Sequence, residues 1–128
     1  MKIHGTGIDL VEIPRFREVI SRQGEAFLTR IFTAVERSYC EARKDPVPHF
    51  AVRFAAKEAV AKAFGTGIGA AMAFLEIEVT CGEAGVPVIV LHGAAKEHAA
   101  SVGAAEIHLS LTHTDAYAAA NALVVSRA

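Results

Sequence analysis

Hydrophobic residues alternate with polar ones in some segments of the chain and recur every three to four residues in others, which separates predicted strands from predicted helices. Thr33 followed by Glu36 is the capping-box pattern of a helix start, and Gly65 ends the long alanine-rich segment as a left-handed cap. Helices interleaved with hairpin-connected strands predict an α+β fold. The predicted strands are 3–13, 74–81, 86–91, 106–113 and 116–126, and the predicted helices are 14–22, 33–43, 48–64 and 94–101.

The first predicted strand contains two glycines and one carboxylate. Gly5 and Gly7 indicate a bulge or a close approach of another backbone. Because side chains alternate along a strand, Asp9 lies on the face opposite Ile8 and Leu10. A charge among apolar neighbours needs a partner, which is either water or an Arg at a sheet edge, or a metal ion. The residue alone leaves both interpretations open.

The predicted central helix carries three cations and one carboxylate. Glu58 and Lys62 are four residues apart and share a helix face, as do Arg53 and Lys57. Exposed Glu–Lys pairs on an amphipathic helix are the commonest reason for this spacing. The same side chains also suit a polyphosphate, because Mg²⁺ binds one or two carboxylates together with substrate phosphates and water.

One glycine-rich segment and one histidine-containing segment are further candidates for ligand binding or catalysis. Gly65-Thr66-Gly67-Ile68-Gly69 follows a helix, whereas phosphate-binding glycine loops precede one, so it is not a dinucleotide fingerprint, although its amides could contact a phosphate. The segment 108–115 contains Ser, His and Asp but lacks a nucleophile elbow and a separated triad order. His113 and Thr114 are more simply interpreted as a hydrogen-bonding pair for a ligand or for the turn backbone.

Composition limits the class of protein. The 128 residues are 52% hydrophobic and 21% charged, which predicts one globular domain over 1–128. No apolar run approaches the roughly 20 residues that span a bilayer, and the N-terminus has no signal-peptide core, so we expect a cytoplasmic protein with no membrane contact. Cys40 and Cys81 lack the paired spacings of zinc or disulfide frameworks.

Charge is unevenly distributed along the sequence. The net charge of -1 gives no indication of a nucleic-acid partner. Residues 14–44, however, carry seven Lys or Arg against four Glu, a balance of +3. Arg15 and Arg22 are seven residues apart and share the outer face of the first predicted helix. An acidic protein partner would suit such a face, and ordinary solvated arginines are the alternative.

Four segments in this order and spacing closely resemble the motifs of the holo-[acyl-carrier-protein] synthases, small trimeric members of the 4'-phosphopantetheinyl transferase superfamily. The resemblance runs nearly end to end and implies the fold of that superfamily, a mostly antiparallel sheet packed against a long central helix. The segments are Gly7 to Ile13, Phe32 to Cys40, Arg53 to Gly67, and Ser110 to Thr114 followed by Tyr117 to Ala120.

The resemblance implies that the phosphopantetheine arm of coenzyme A is transferred to a serine of apo acyl carrier protein, which releases adenosine 3',5'-bisphosphate and supports fatty acid biosynthesis. By motif position, Asp9 and Glu58 would hold Mg²⁺, or Mn²⁺ as an alternative, on the pyrophosphate. Lys62 would offset charge there as a third catalytic residue. Asp9, Glu58 and a metal-bound water remain open as the general base.

Other residues receive substrate-binding roles from the same resemblance. Arg53, His113 and Thr114 would hold the 3'-phosphoadenosine end of coenzyme A, with Gly65, Thr66 and Gly67 nearby. Arg15 and Arg22 would contact the acidic carrier protein. The implied assembly is a homotrimer with active sites between subunits. Departures from the family pattern at His108-Leu109 and at 70–73 concern the fine tuning of ligand binding, not the reaction class.

Two other functions use the same features. A metal-dependent phosphatase or nucleotide pyrophosphatase would pass phosphorus to water and hydrolyse coenzyme A without a carrier protein. A non-catalytic module would bind acidic proteins through the Arg15 and Arg22 face and would not need Asp9 or Glu58.

Overall fold

The alternating segments at the two ends of the chain form one antiparallel sheet in the computed structural model, which describes residues 1–127. The strand order is β1-β5-β4, and β2 and β3 form a separate antiparallel ribbon. The strands are β1 (Lys2–Glu12), β2 (Ile77–Cys81), β3 (Pro87–Leu91), β4 (Ala104–His113) and β5 (Tyr117–Ser126). The helices are α1 (Ile13–Ile31), α2 (Ala34–Glu41), α3 (Pro46–Ala63) and α4 (Gly93–Ser101). The predicted α+β class is confirmed, and Ala128, the end of the predicted domain, lies outside the described residues.

Helix α3 crosses the inner face of the sheet at very short range. A β-carbon added to Gly7 would lie 1.9 Å from the carbonyl oxygen of Ala59, and one added to Gly5 would lie 2.1 Å from that of Ala63. The pairing register shifts between Ile3 and Gly5, which is the predicted bulge. Glycine and alanine therefore let the helix backbone rest directly on the strand, and the predicted close approach is confirmed.

Several element boundaries differ from the predictions. Helix α1 consists of two helical segments that meet at Gly24, whose φ of 58° and ψ of −139° interrupt the helical backbone, so the predicted helix 14–22 is the first segment and the second, up to Ile31, was not predicted. Helix α3 begins at Pro46, two residues early, because the side chain of Asp45 accepts a hydrogen bond from the amide of Val47. The Thr33 capping box of α2 is present as predicted.

The start of the predicted 74–81 strand is a 3-10 turn, Phe74–Glu76. One carboxylate oxygen of Glu76 accepts from the Ala73 amide and the other from the Ala94 amide at the start of α4. These bonds hold the segment in a turn, so the strand starts only at Ile77. No helix within residues 1–127 is long and apolar enough to cross a membrane.

Candidate active site

Asp9 and Lys62 meet where α3 ends beside β1. Asp9 pairs with Ala120 of β5, whose side chain is buried against α3, so Asp9 faces the helix while Ile8 and Leu10 face outward, as predicted. The Nζ atom of Lys62 lies 3.1 Å from Asp9 Oδ1 and donates to the carbonyl oxygen of Ile8 at 2.9 Å. The partner of Asp9 within this chain is therefore the lysine of the central motif, and not an arginine.

Glu58 lies one helical turn before Lys62 and close to Asp9. Burial, and then the charge of Asp9, raise the pKa of Glu58, while Lys62 opposes the shift. Two carboxylates that repel each other in this way gain from a bound cation. The structure therefore brings together the three residues predicted to be catalytic.

These carboxylates line an open pocket of about 410 Å³. Glu12 and Arg15 also line it, and its other lining residues are apolar. The apolar lining residues are Leu10, Val11, Phe16, Val19 and Phe54. Such a pocket suits a ligand with a charged head and a less polar arm.

The donor set is compatible with a hard divalent cation. Within residues 1–127, no group of three or more His, Cys, Asp or Glu side chains is placed to hold a metal ion. Asp9 and Glu58 would thus supply two oxygen ligands and leave the other positions to water and substrate. Mg²⁺ favours that arrangement, because it retains waters and binds substrate phosphates.

A second cluster of cations lies around Tyr39. The guanidinium carbons of Arg43 and Arg53 are 4.0 and 4.1 Å from the centre of its ring. The His49 ring lies 5.9 Å from that of His113. Burial, followed by the charges of Arg53, His113 and Arg43, lowers the pKa of His49.

This cluster is an anion-binding environment. Neither Arg43 nor Arg53 forms an ion pair with a carboxylate in the part of the chain that the structure describes. Arg53 and His113 were predicted site residues, whereas Tyr39, Arg43 and His49 were not assigned a role. The position of His49, four residues before Arg53 and so on the same helix face, was a usable signal.

Helix α3 separates the two groups within one chain. Arg53 and Glu58 are five residues apart, which rotates their side chains by about 140° around the helix axis. Consistent with this, the pocket beside Asp9 is not lined by Arg53, His113 or Thr114. The predicted metal site and the predicted 3'-phosphoadenosine residues therefore do not converge on one pocket of a single chain.

Lys57 contradicts its predicted role as a phosphate-binding cation. Its side chain has 0% exposure and forms an ion pair of 2.8 Å with Glu36, which is equally buried. The same ammonium donates to the carbonyl oxygens of Phe74 and Ile77 at 2.8 and 2.6 Å. All three ammonium protons are thus engaged, and the expectation of an amphipathic helix with an exposed charged face is wrong, because most of α3 is buried.

The loop after α3 uses its amides to close the helix. The amides of Thr66 and Gly67 both donate to the carbonyl oxygen of Ala61. The amide of Gly65 donates to the backbone carbonyl oxygen of Lys62. Gly65 and Gly67 have φ values of 80° and 65°. Because these N–H groups are engaged, the predicted amide contact with a phosphate is not supported by the geometry.

The side chain of Thr114 also forms its hydrogen bonds within the turn in which it lies. Its hydroxyl accepts hydrogen bonds from the amides of Ala116 and Tyr117, and its own amide donates to the carbonyl oxygen of Tyr117. This turn delays the start of β5 to Tyr117. Of the two predicted functions for the His113–Thr114 pair, the structure shows the turn contact for Thr114, while the ring of His113 lies edge-to-face with that of His49.

Several arginines of the basic segment have acidic partners. Arg17 pairs with Asp45, which lies just outside residues 14–44, and Arg37 pairs with Glu25. Arg22 lies 4.0 Å from Glu18, with both side chains largely exposed. Arg15 is exposed, has no ion-pair partner among residues 1–127, and stands at the pocket that contains Asp9 and Glu58.

Comparisons with known proteins show the family of the chain. Residues 5–122 match the family model of the 4'-phosphopantetheinyl transferase superfamily. The chain is 44% identical over 122 residues to the holo-[acyl-carrier-protein] synthase of Koribacter versatilis, covering 95% of this chain and 98% of that protein.

Solved structures show the same fold. The crystal structure of the holo-[acyl-carrier-protein] synthase from Neisseria meningitidis superposes with a TM-score of 0.91 at 32% identity, covering 97% of this chain and 99% of that one. The Helicobacter pylori enzyme in complex with coenzyme A has a TM-score of 0.83 at 30% identity, covering 94% and 99%. The chain therefore belongs to the 4'-phosphopantetheinyl transferase superfamily and, within it, to the holo-[acyl-carrier-protein] synthases.

Proposed function

We propose that the chain transfers the 4'-phosphopantetheine group of coenzyme A to a serine hydroxyl of apo acyl carrier protein in a Mg²⁺-dependent reaction. The observation that carries the proposal is the cluster of Asp9, Glu58 and Lys62 at one pocket. The names of the chain's relatives and the coenzyme A complex of the Helicobacter pylori protein support the choice of substrates.

The residues of the chain would divide the work as follows. Asp9 and Glu58 hold the metal ion, which when bound neutralises the pyrophosphate and polarises it for attack. Lys62 adds a fixed positive charge beside Asp9, where negative charge collects on the leaving group. Because phosphoryl transfer is accelerated mainly by positioning and charge neutralisation, these three groups supply the chief requirement of the reaction.

Glu58 is the best candidate for the group that accepts the serine proton. Burial and the charge of Asp9 raise its pKa in the metal-free chain, and the carboxylate oxygen that does not hold the metal ion would accept the proton. Asp9, in contrast, already accepts a charge-assisted hydrogen bond from Lys62.

The other end of coenzyme A would lie on the cation cluster of a neighbouring subunit. Arg53 and His113 lie on the opposite side of α3 from Glu58, so a second copy of the chain would bring its own cluster to the pocket. The exposed apolar residues Ile8 and Leu10 on the outer face of the sheet, 66% and 64% exposed, support contact between copies of the chain, which we propose assemble as a homotrimer. Arg15 at the pocket rim, with Arg22 farther along α1, would orient the acidic carrier protein.

The deciding experiment incubates the protein with apo acyl carrier protein, coenzyme A and Mg²⁺, with and without chelator, and weighs the carrier by mass spectrometry. We expect the carrier to gain one phosphopantetheinyl group only when free Mg²⁺ is present. The variants Asp9→Ala and Glu58→Ala should abolish the gain, whereas Glu97→Ala, an exposed carboxylate on α4, serves as the matched control.

The outcomes separate the competing functions. No mass gain on the carrier would rule out the transferase. Hydrolysis of coenzyme A without a carrier would instead indicate the phosphatase or pyrophosphatase. Carrier binding that survives both alanine substitutions, with no transfer by the unsubstituted protein, would indicate a non-catalytic module.

A further inference from the structure

Cys81 opens onto the cation cluster of Arg53. It is the last residue of β2, and its side chain is exposed. Together with Tyr39 and Arg53 it lines a pocket of about 340 Å³. The Nη2 atom of Arg53 lies 3.9 Å from the Cys81 sulfur. A thiol and a guanidinium therefore face the same opening.

The guanidinium is available to an anion. Arg53 is only 5% exposed, and its buried Nε atom has no hydrogen-bond partner in residues 1–127. Its Nη1 atom donates to the carbonyl oxygen of His49 at 3.3 Å, and Nη2 has only the weakly accepting sulfur of Cys81. A buried cation without a carboxylate partner attracts an anionic group into the pocket.

Cys40 provides an internal contrast. It has 0% exposure, and burial raises the pKa of its thiol to about 12. The thiolate is the form that attacks a disulfide, so a buried and protonated thiol does not react. The chain thus contains one enclosed thiol and one exposed thiol beside a cation.

We propose that Cys81 is a modification site that undergoes thiol–disulfide exchange with anionic low-molecular-mass disulfides, which the guanidinium of Arg53 attracts. The Cys81 thiolate attacks one sulfur of the disulfide, forms a mixed disulfide and releases the other half as a thiolate, so no separate oxidant is consumed. The attached group then fills the pocket beside Arg53. A reducing thiol reverses the exchange by the same steps.

This modification would also control transfer, a consequence that rests on the proposed function. If Arg53 binds the phosphorylated end of coenzyme A, an anionic group on Cys81 competes for the same guanidinium. Reversible loss of transfer activity is then the expected result.

The test of the exchange measures intact mass during incubation with oxidised glutathione, which is anionic, or with hydroxyethyl disulfide, which is neutral. We expect one adduct, located at Cys81, absent from Cys81→Ser and retained in Cys40→Ser. The rate ratio of the anionic to the neutral reagent should be at least about tenfold higher than for the same cysteines in the unfolded chain. High ionic strength should lower the glutathione rate selectively, and Arg53→Met should remove the preference.

Equal rate ratios in the folded and unfolded chains, or an adduct on Cys40, would overturn the proposal. The ionic-strength measurement uses the unsubstituted protein, so it decides the role of charge even where Arg53→Met does not fold.

The transfer activity of the glutathione adduct should fall and should return after treatment with dithiothreitol, while Cys81→Ser should keep its own activity through the treatment. An adduct at Cys81 with unchanged transfer would refute the blocking effect. An unmodified protein without transfer would instead contradict the proposed function, and the mass data would still decide the exchange.

Discussion

Lys57 and Glu36 form an ion pair that solvent does not reach: their Nζ and Oε1 atoms are 2.8 Å apart, and both side chains have 0% exposure. Glu36 also accepts hydrogen bonds from the amides of Thr33 and Val79 at 2.9 and 2.7 Å. Burial lowers the pKa of Lys57, and the charge of Glu36 opposes that shift. The pair joins α2, α3 and the start of β2, next in sequence to Glu58.

Removal of one partner should destabilise the fold strongly. Lys57→Met leaves a buried carboxylate without its cation, and Glu36→Gln leaves a buried ammonium without its anion. We expect each to lower the free energy of unfolding by about 3–5 kcal/mol, measured by urea denaturation. The double substitution should cost less than the sum of the two single ones.

An exposed ion pair provides the control. Arg17 and Asp45 are 2.8 Å apart, but both side chains are half exposed. Arg17→Ala should therefore cost less than about 1 kcal/mol. Equal losses for the buried and the exposed pair would contradict the structural role of Lys57.

Gly7 should not tolerate a side chain. An added β-carbon would lie 1.9 Å from the Ala59 carbonyl oxygen and 2.8 Å from the Ala63 amide nitrogen, so α3 would have to move away from β1. We expect Gly7→Ala to lower the free energy of unfolding by about 3 kcal/mol and to reduce transfer by displacing Glu58 from Asp9. Denaturation and the mass-spectrometric transfer assay measure the two effects.

Gly69 is the matched position for this substitution. Nothing lies within 4 Å of a β-carbon added there, and its backbone has no positive φ. Gly69→Ala should change stability by less than about 0.5 kcal/mol. A Gly7→Ala protein as stable as Gly69→Ala would show that the helix and strand are not held at this distance.

Local rules account for the parts of the fold that the sequence predicts correctly. The strand period of two placed Asp9 opposite Ile8, the capping box located the start of α2, and Gly5 and Gly7 indicated the close approach of another backbone. Each of these signals depends on neighbours in sequence or on a single missing side chain. The alternation of helices and hairpins then gave the α+β class.

Tertiary contacts explain what the sequence did not predict. The spacing of Arg53, Lys57 and Glu58 fixes their directions around α3, but it does not specify which direction meets another element. The side chain of Lys57 packs against α2 and is buried, while that of Arg53 lies over the ring of Tyr39. The cation cluster and the buried pair therefore depend on how α2 packs on α3, which no local pattern encodes.

The pKa of Glu58 should respond in opposite directions to its two charged neighbours. Asp9 raises it and Lys62 lowers it, so Asp9→Asn should lower the pKa and Lys62→Met should raise it further. Carbon-13 NMR of the Glu58 carboxyl group in metal-free protein measures both, with Glu58→Gln to assign the signal. In the unsubstituted protein, the affinity for Mg²⁺ should decrease as the pH falls through the raised pKa of metal-free Glu58, since protonation removes a metal ligand. A pKa that rises in Asp9→Asn would contradict the geometry.

Arg15 should contribute to carrier binding without affecting coenzyme A. Because Arg15 lies at the pocket rim and has no ion-pair partner among residues 1–127, Arg15→Glu should raise the KM for carrier protein by roughly threefold to tenfold. The effect should shrink at high salt, while the KM for coenzyme A stays constant. Steady-state kinetics at two ionic strengths measure all of these values.

Two arginines on the same helix serve as comparisons. Arg22 lies about 10 Å farther along α1 and is near Glu18, so Arg22→Glu should have a smaller effect. Arg30, at the far end of the helix, donates to Gln23 and should have none. An equal rise in KM for all three variants would indicate a general charge effect instead of a defined contact.

The outer face of the sheet should hold the proposed trimer together. Lysine in place of both Ile8 and Leu10 puts charge where the proposed interface excludes water, so we expect the Ile8→Lys, Leu10→Lys protein to be a folded monomer without transfer activity. Light scattering and circular dichroism measure mass and folding. Val35→Lys, at a 56% exposed position on α2, should leave the assembly unchanged.

A mixture of two inactive variants tests whether subunits share the site. Glu58→Ala lacks the carboxylate, and Arg53→Met lacks the cation on the opposite side of α3, so each alone should transfer little. In a mixed trimer, some interfaces join an intact Glu58 from one subunit to an intact Arg53 from its neighbour, and partial activity should return after the two proteins are unfolded and refolded together. Recovery must also disappear when Ile8 and Leu10 are replaced by lysine, because it depends on contact between copies. If the refolded mixture forms mixed trimers but stays inactive, each site is built within one chain, and the cation cluster has a different ligand.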